Sequence, residues 1–227
     1  MSDEPIGASG QSTLPHLVTV SVVSHGHISS GFVPKLLDDL SRSNSAKDLV
    51  VILTLNRSDE VIDVGGWKNL HIIVLRNPVP LGFGKNHNQA FQHCRTPWFF
   101  VVNPDIELVD DPVAAILSYA RSLENVGAVA PVILSPAGAR EDSVRVNMSP
   151  LSVLSRVVLK RRDLVNVEGD VTKDRRFIWL AGMFLAFPAT AYRQVGGFDE
   201  RYFLYCEDYD ICARLVLAGL KLHVAPK

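Results

Sequence analysis

Four short polar clusters each follow an apolar run. Ser24-His25-Gly26-His27 follows Leu17–Val23, and Asn56-Arg57-Ser58-Asp59 follows Asp48–Leu55. Asn77-Pro78 and then Leu81-Gly82-Phe83-Gly84-Lys85-Asn86-His87-Asn88 follow Leu70–Leu75. Asn103-Pro104-Asp105 follows Trp98–Val102. Four polar loops on one edge suit a polyanionic ligand. Asp105 directly after a strand and a Pro turn suits a hard divalent cation that also binds phosphate oxygens. The same Asn-Pro-Asp is also an ordinary turn, so spacing leaves both readings open.

Two common phosphate motifs are excluded. Gly82-Phe83-Gly84 begins a dinucleotide fingerprint, but His87 stands where the third glycine belongs. Gly84-Lys85-Asn86 lacks the Ser/Thr and the upstream glycine of a phosphate-binding P-loop. The glycines either make a tight turn into a helix or let the backbone approach a ligand. A second acidic cluster, Glu207, Asp208 and Asp210, follows Gly-Gly-Phe-Asp-Glu (196–200) and Arg201-Tyr202-Phe203-Leu204-Tyr205. A helix N-terminus favours carboxylates through its dipole and free N–H groups. That does not account for the aromatics before them. Neighbouring carboxylates beside aromatic walls raise one another's pKa and can serve as a general base.

The elements that must position these groups alternate. The four apolar runs read as buried strands, joined by Gly127–Leu134 and Lys221–Ala225. Helical spacing predicts helices over Phe32–Leu40, Asn86–Cys94, Val113–Leu123 and Glu207–Leu217, and Phe177–Phe187 returns as one core stretch. This alternation predicts an α/β fold with a mixed, mostly parallel sheet flanked by helices. Residues 1–15 read as a disordered lead-in and residues 16–227 as a single domain. Leu151, Leu154, Val158 and Leu159 could line a short helix beside Lys160-Arg161-Arg162, either solvated or contacting an acceptor or membrane surface.

Composition narrows the class. Of 227 residues, 47% are hydrophobic and 21% charged, enough for a core without staples. A net charge of −1 gives no global pull toward nucleic acid. Three scattered cysteines argue against a disulfide framework and for a reducing compartment. No apolar run reaches the roughly 20 residues of a membrane span. The expectation is a cytoplasmic protein, soluble or attached to the inner face of the membrane.

The strand-end Asn103-Pro104-Asp105, the Leu-Gly-Phe-Gly segment with Asn88, Trp179-Leu180-Ala181-Gly182, Gly-Gly-Phe-Asp-Glu and Tyr205-Cys206-Glu207-Asp208-Tyr209-Asp210 occur in that order. Together they resemble the family 2 glycosyltransferases of GT-A fold, particularly the rhamnosyltransferase-like branch, from about Val18 to Pro226. The resemblance implies a nucleotide-diphosphate sugar donor, inversion at the anomeric carbon and a glycan or lipid-linked acceptor. It implies Asp105 as the ligand of Mg²⁺ or Mn²⁺, with Asn103 in place of the first Asp of the family's Asp-x-Asp motif. It implies Asp208 as base, with Glu207 and Asp210 orienting it or contacting the acceptor. Trp179, Ala181 and Gly182 are implied near sugar and acceptor, and His25, Asn56, Gly82, Gly84 and Asn88 beside the donor.

Departures accompany the resemblance. Leu55-Asn56 stands where many relatives carry Asp before Asn, and Ser-His-Gly-His replaces the usual Thr-Tyr-Asn. His25 is then either a nucleotide contact or a plain loop histidine. Relatives usually continue to a later metal-binding His, and His223, inside the apparent last strand, is not given that role. With one ligand fewer, metal is expected to bind poorly until donor is present, and a second copy or partner could cover an exposed edge. The competing reading is a non-catalytic nucleotide-sugar-binding or assembly subunit. A sugar nucleotidyltransferase is disfavoured, because Ser24–Ser30 holds only Gly26 where a Gly-rich loop is needed.

Overall fold

The structure is a computed structural model and describes residues 17–141, 143–146 and 167–226. The lead-in expected over 1–15 and the basic segment with Lys160-Arg161-Arg162 lie outside the described residues. Strands β1 (Val18–Ser24), β2 (Leu49–Leu55), β3 (His71–Arg76) and β4 (Trp98–Val102) pair parallel in the order β3-β2-β1-β4. The sheet continues through β9 (Phe184–Pro188), β5 (Val126–Ala130), β10 (Lys221–Val224) and β7 (Gly169–Asp170). β9 runs antiparallel to both β4 and β5, whereas β5 and β10 are parallel. β6 (Val144–Val146) and β8 (Ile178–Leu180) form a separate antiparallel pair. The expected mixed, mostly parallel sheet is present.

Strand alternation builds a core on each face. Val18, Val20 and Val22 of β1 and Phe100 and Val102 of β4 pack with α1 (Phe32–Arg42) and α3 (Pro112–Ala120). Phe99 and Val101 face the other way, toward α2 (Phe83–Phe91), α4 (Ala189–Gln194) and α5 (Glu207–Leu217). A period of two assigns successive side chains to opposite faces. Helix α1 buries Val33, Leu36, Leu37 and Leu40 on one stripe.

The run Phe177–Phe187 is not one element. Ala181-Gly182-Met183 turns the chain between β8 and β9, so the stretch serves two sheets. The reversal has a positional consequence. Because β9 is antiparallel, its first residue, Phe184, pairs with the last residue of β4, Val102. The Ala181–Met183 turn therefore reaches the edge where the parallel strands end. Helix α2 starts three residues before the expected Asn86, since Gly82 is its cap.

Beneath this edge, Ser21 Oγ lies 2.8 Å from His87 Nδ1 in full burial, and His87 Nε2 has no partner. Desolvation pushes the His87 pKa down to about 3. The imidazole is neutral when folded, while in the unfolded chain it takes up a proton near its ordinary value. Below about pH 6.5 the unfolded state therefore binds more protons, and stability falls as pH drops toward 3. This group adds a slope of up to about 1.4 kcal/mol per pH unit. Urea midpoints measured from pH 7 to pH 4 should show it, and His87→Phe should flatten it. An unchanged slope in His87→Phe would remove His87 from the account.

Candidate active site

The parallel strands end on a cleft of about 320 Å³. Asn56 at the end of β2 is buried and makes four contacts. Its Oδ1 accepts from Asn77 Nδ2 (2.9 Å) and the Leu81 N–H (2.8 Å). Its Nδ2 donates to the Leu81 carbonyl (2.9 Å) and lies 3.4 Å from His25 Nδ1. Asn77 Nδ2 also donates to Asn86 Oδ1 (2.7 Å), and Asn86 Nδ2 donates to the carbonyls of Leu81 and Gly82. Three buried amides thus hold the β3–α2 loop against the end of β2. Asn56 lines the cleft, but its hydrogen-bonding capacity is spent within the protein.

The polar rim comes from β1 and β4. His25 and His27 follow β1, and Asn103 and Asp105 follow the neighbouring β4. Glu60 fixes the histidine loop from below. Its Oε1 accepts from Ser24 Oγ and from the Gly26 N–H (2.9 Å). Asp105 is exposed and also lines an adjoining hollow of about 510 Å³ under Phe184. No group of three His, Cys, Asp or Glu residues that could hold a metal is present among the described residues. Asp105 is the one carboxylate among the cleft-lining residues, so a cation there needs oxygens from a ligand and water.

The acidic helix start reaches this edge through the Ala181–Met183 turn. The Asn103 N–H donates to the Met183 carbonyl (2.9 Å), and the Gly182 N–H donates to Asp208 Oδ2 (3.1 Å). The Tyr209 N–H donates to Asp208 Oδ1 (2.8 Å). Ala181 is buried at the foot of the turn, its N–H donating to the Ser143 carbonyl. Phe83, a cleft wall, stands 3.3 Å from where a Gly182 Cβ would be. Glu207 is buried, its Oε2 has no partner, and burial followed by the nearby Asp208 charge pushes its pKa up.

Other expected site residues serve the framework. Asp210 pairs with Arg214 (2.6 Å), whose Nη1 donates to the Val195 carbonyl (2.5 Å). The Asn88 amide is fully used: Oδ1 accepts from Tyr192 OH (2.7 Å) and the Phe198 N–H (2.9 Å). Its Nδ2 donates to the Phe198 carbonyl (2.8 Å) and Glu200 Oε1 (3.2 Å). Asn88 thus locks the Gly196-Gly197 turn, where Gly197 has φ 73° and its missing Cβ leaves room for the Asn88 side chain. Gly82 and Gly84 are needed for close approach, but to protein. A Cβ on Gly82 would stand 2.5 Å from the Phe203 carbonyl oxygen, and one on Gly84 2.6 Å from Phe198 Cβ. Trp179 packs edge-on against Tyr209 with ring centroids 5.2 Å apart, and its indole N–H is buried without a partner. Sequence reasoning missed Glu60, and it missed Phe203 and Leu204 as cleft walls. Their signal was an aromatic strap beside the acids.

A family model described as "Glycosyltransferase like family 2" matches residues 15–227. The chain belongs to glycosyltransferase family 2. This family 2 chain is 27% identical over 222 residues to the rhamnosyltransferase WbbL of Escherichia coli (strain K12), a match covering 92% of this chain and 81% of that protein. It is 35% identical over 129 residues to the N-acetylglucosaminyl-diphospho-decaprenol L-rhamnosyltransferase of Mycobacterium tuberculosis (strain ATCC 25618 / H37Rv), over 54% of this chain and 42% of that one. Among solved structures it resembles the mannosyltransferase PcManGT of Pyrobaculum calidifontis in complex with GDP-Man and Mn²⁺ (TM-score 0.64, 16% identity), over 95% of this chain and 56% of that one. GalNAc-T7 with UDP, GalNAc and Mn²⁺ gives a TM-score of 0.65 at 13% identity, over 94% of this chain and 43% of that one. These likenesses show the GT-A fold.

The geometry separates framework from ligand contact. Asn88→Ala leaves the Tyr192 hydroxyl and the Phe198 N–H without their buried acceptor. It should lower unfolding stability by about 2–6 kcal/mol, two groups at the usual 1–3 kcal/mol for each unsatisfied buried group. The urea midpoint measures this. Loss of nucleotide affinity with an unchanged midpoint would return Asn88 to the binding surface.

Proposed function

We propose that this chain transfers a sugar, with inversion, from a nucleotide-diphosphate donor in the strand-end cleft to an acceptor hydroxyl presented at Asp208. The observation that carries the reading is the short hydrogen-bonded link between the two halves. Asn103 beside Asp105 holds Met183, and neighbouring Gly182 holds Asp208. One rim suits a diphosphate and its cation, and the far end of the link presents a carboxylate for proton removal. In-line displacement needs both groups fixed relative to one another.

On this reading Asp105 would hold Mg²⁺ or Mn²⁺ together with the donor's phosphate oxygens. The cation, when bound, stabilises the charge that develops on the departing nucleoside diphosphate. His25, His27 and Asn103 orient the donor. Two backbone N–H groups fix both Asp208 oxygens, which orients the carboxylate toward an acceptor proton. Glu207, its neighbour in the chain, is buried. The names of the rhamnosyltransferase relatives support rhamnose as the sugar, and the mycobacterial relative's name supports a diphosphate-linked lipid acceptor. On this reading the reaction runs at the cytoplasmic face of a membrane.

Asp208→Asn keeps the shape but cannot take a proton. Transfer from a nucleoside-diphosphate rhamnose should fall by roughly 10²–10⁴-fold, with donor affinity within about twofold of wild type. Steady-state transfer with parallel calorimetry tests this, and comparable turnover would move the base to Glu207. Asp105→Ala should abolish the difference in nucleoside-diphosphate affinity between Mn²⁺ and EDTA. A difference that persists would place the cation elsewhere.

A further inference from the structure

The segment between Asp199 and α5 exposes four apolar side chains in succession. Tyr202 is 38% exposed, Phe203 65%, Leu204 55% and Tyr205 75%. Charged pairs flank them, Asp199 with Arg201 (2.5 Å) and Lys85 with Glu200 (3.6 Å). A contiguous apolar patch with a polar rim marks a binding surface.

The strap is held at both ends. At Phe203 its carbonyl accepts from the Phe83 N–H (2.9 Å), and Gly82 lacks the Cβ that would push it away. At the other end Tyr205 and Cys206 both have φ 69°, a left-handed conformation uncommon for such residues. Two consecutive strained residues feeding directly into Glu207 and Asp208 are the kind of backbone strain that clusters at functional sites.

We infer that this strap is the acceptor platform, on which the apolar face of the acceptor's pyranose ring stacks against Tyr205, flanked by Phe203 and Leu204. The inference rests on the transferase reading above. Three observations commit the surface to an acceptor sugar. Phe203 and Leu204 belong to the cleft wall while Tyr202 and Tyr205 do not, so the surface continues outward from the donor cleft. The strap runs straight into Asp208, and an acceptor hydroxyl within hydrogen-bond reach of that carboxylate brings its ring against the preceding residues. Trp179, the other aromatic expected there, is occupied by Tyr209. An exposed aromatic face offers large contact area at low entropic cost.

The test uses Tyr205→Asn, because Asn tolerates the left-handed conformation, together with Leu204→Ser and Tyr205→Phe. The acceptors are a synthetic N-acetylglucosaminyl-diphospho-polyprenol and its short, water-soluble alkyl analogue, with a nucleoside-diphosphate rhamnose donor. Tyr205→Asn and Leu204→Ser should raise acceptor KM about three- to tenfold on both acceptors, and in Tyr205→Asn, whose side chain does not line the donor cleft, donor KM should stay within about twofold of wild type. Tyr205→Phe, which keeps the ring face, should recover most of the acceptor KM lost in Tyr205→Asn. A rise in donor KM alone would make the strap a donor cover. An effect confined to the long-chain acceptor would make it a lipid contact. Either result, or no change, overturns the platform. Saturation-transfer NMR of the soluble acceptor reads the same surface without turnover. If wild type transfers nothing but binds this acceptor in a Tyr205-dependent way, the platform stands and the transferase reading falls. Acceptor binding indifferent to Tyr205→Asn ends the platform.

Discussion

The backbone hydrogen bond from the Asn103 N–H to the Met183 carbonyl joins the two halves of the proposed site. Asp105 and Asp208 are far apart in the chain and belong to different layers, one at a strand end and one at a helix start. What links their segments through the Ala181–Met183 turn is the antiparallel insertion of β9 between β4 and β5. A parallel β9 would have begun at the opposite edge of the sheet, and the Ala181–Met183 turn would have gone with it. Gly182 could not then have offered its N–H to Asp208.

The second constraint is polar satisfaction at a crowded edge. Parallel strands ending together leave loops whose buried amides must find partners, since each orphan costs about 1–3 kcal/mol. Asn56, Asn77 and Asn86 meet that requirement by bonding one another and the Leu81-Gly82 backbone. Glu60 does the same for the Ser24–Gly26 turn. The cleft therefore has a preset floor, and on the proposed reading ligand recognition falls to His25, His27, Asn103 and Asp105, which line it. Preorganised polar groups of this kind act without reorganising during a reaction.

The parallel half of the sheet was legible because β-branched runs bounded by turn residues carry a strong local signal. Trp98–Val102 and Glu207–Leu217 were read with their observed limits. The division of Phe177–Phe187 was not legible, because hydrophobicity alone does not mark where a strand changes sheet. Gly82, Gly84 and Asn88 sit in a motif that spacing placed beside the donor. Their burdens are packing against Phe203, Phe198 and Tyr192, contacts with residues far along the chain that no local pattern shows. Glu60 was illegible for a similar reason. It follows an ordinary polar turn, and its carboxylate serves the β1 loop rather than its own. The aromatics before the acids stand out in the sequence, but the place of Phe203 and Leu204 on the cleft wall depends on the fold.

The central claim is that the strand-end cleft takes a nucleotide-diphosphate sugar whose phosphates complete a cation site begun by Asp105. Thermal unfolding across a panel of nucleotide-diphosphate sugars, each with Mn²⁺, Mg²⁺ or EDTA, tests it most directly, because a ligand of the native state raises the melting temperature by mass action. The account predicts a rise for at least one nucleotide sugar that requires the divalent ion, and little rise with the ion alone. A large rise from Mn²⁺ without nucleotide, or none from any nucleotide sugar with either ion, would contradict it.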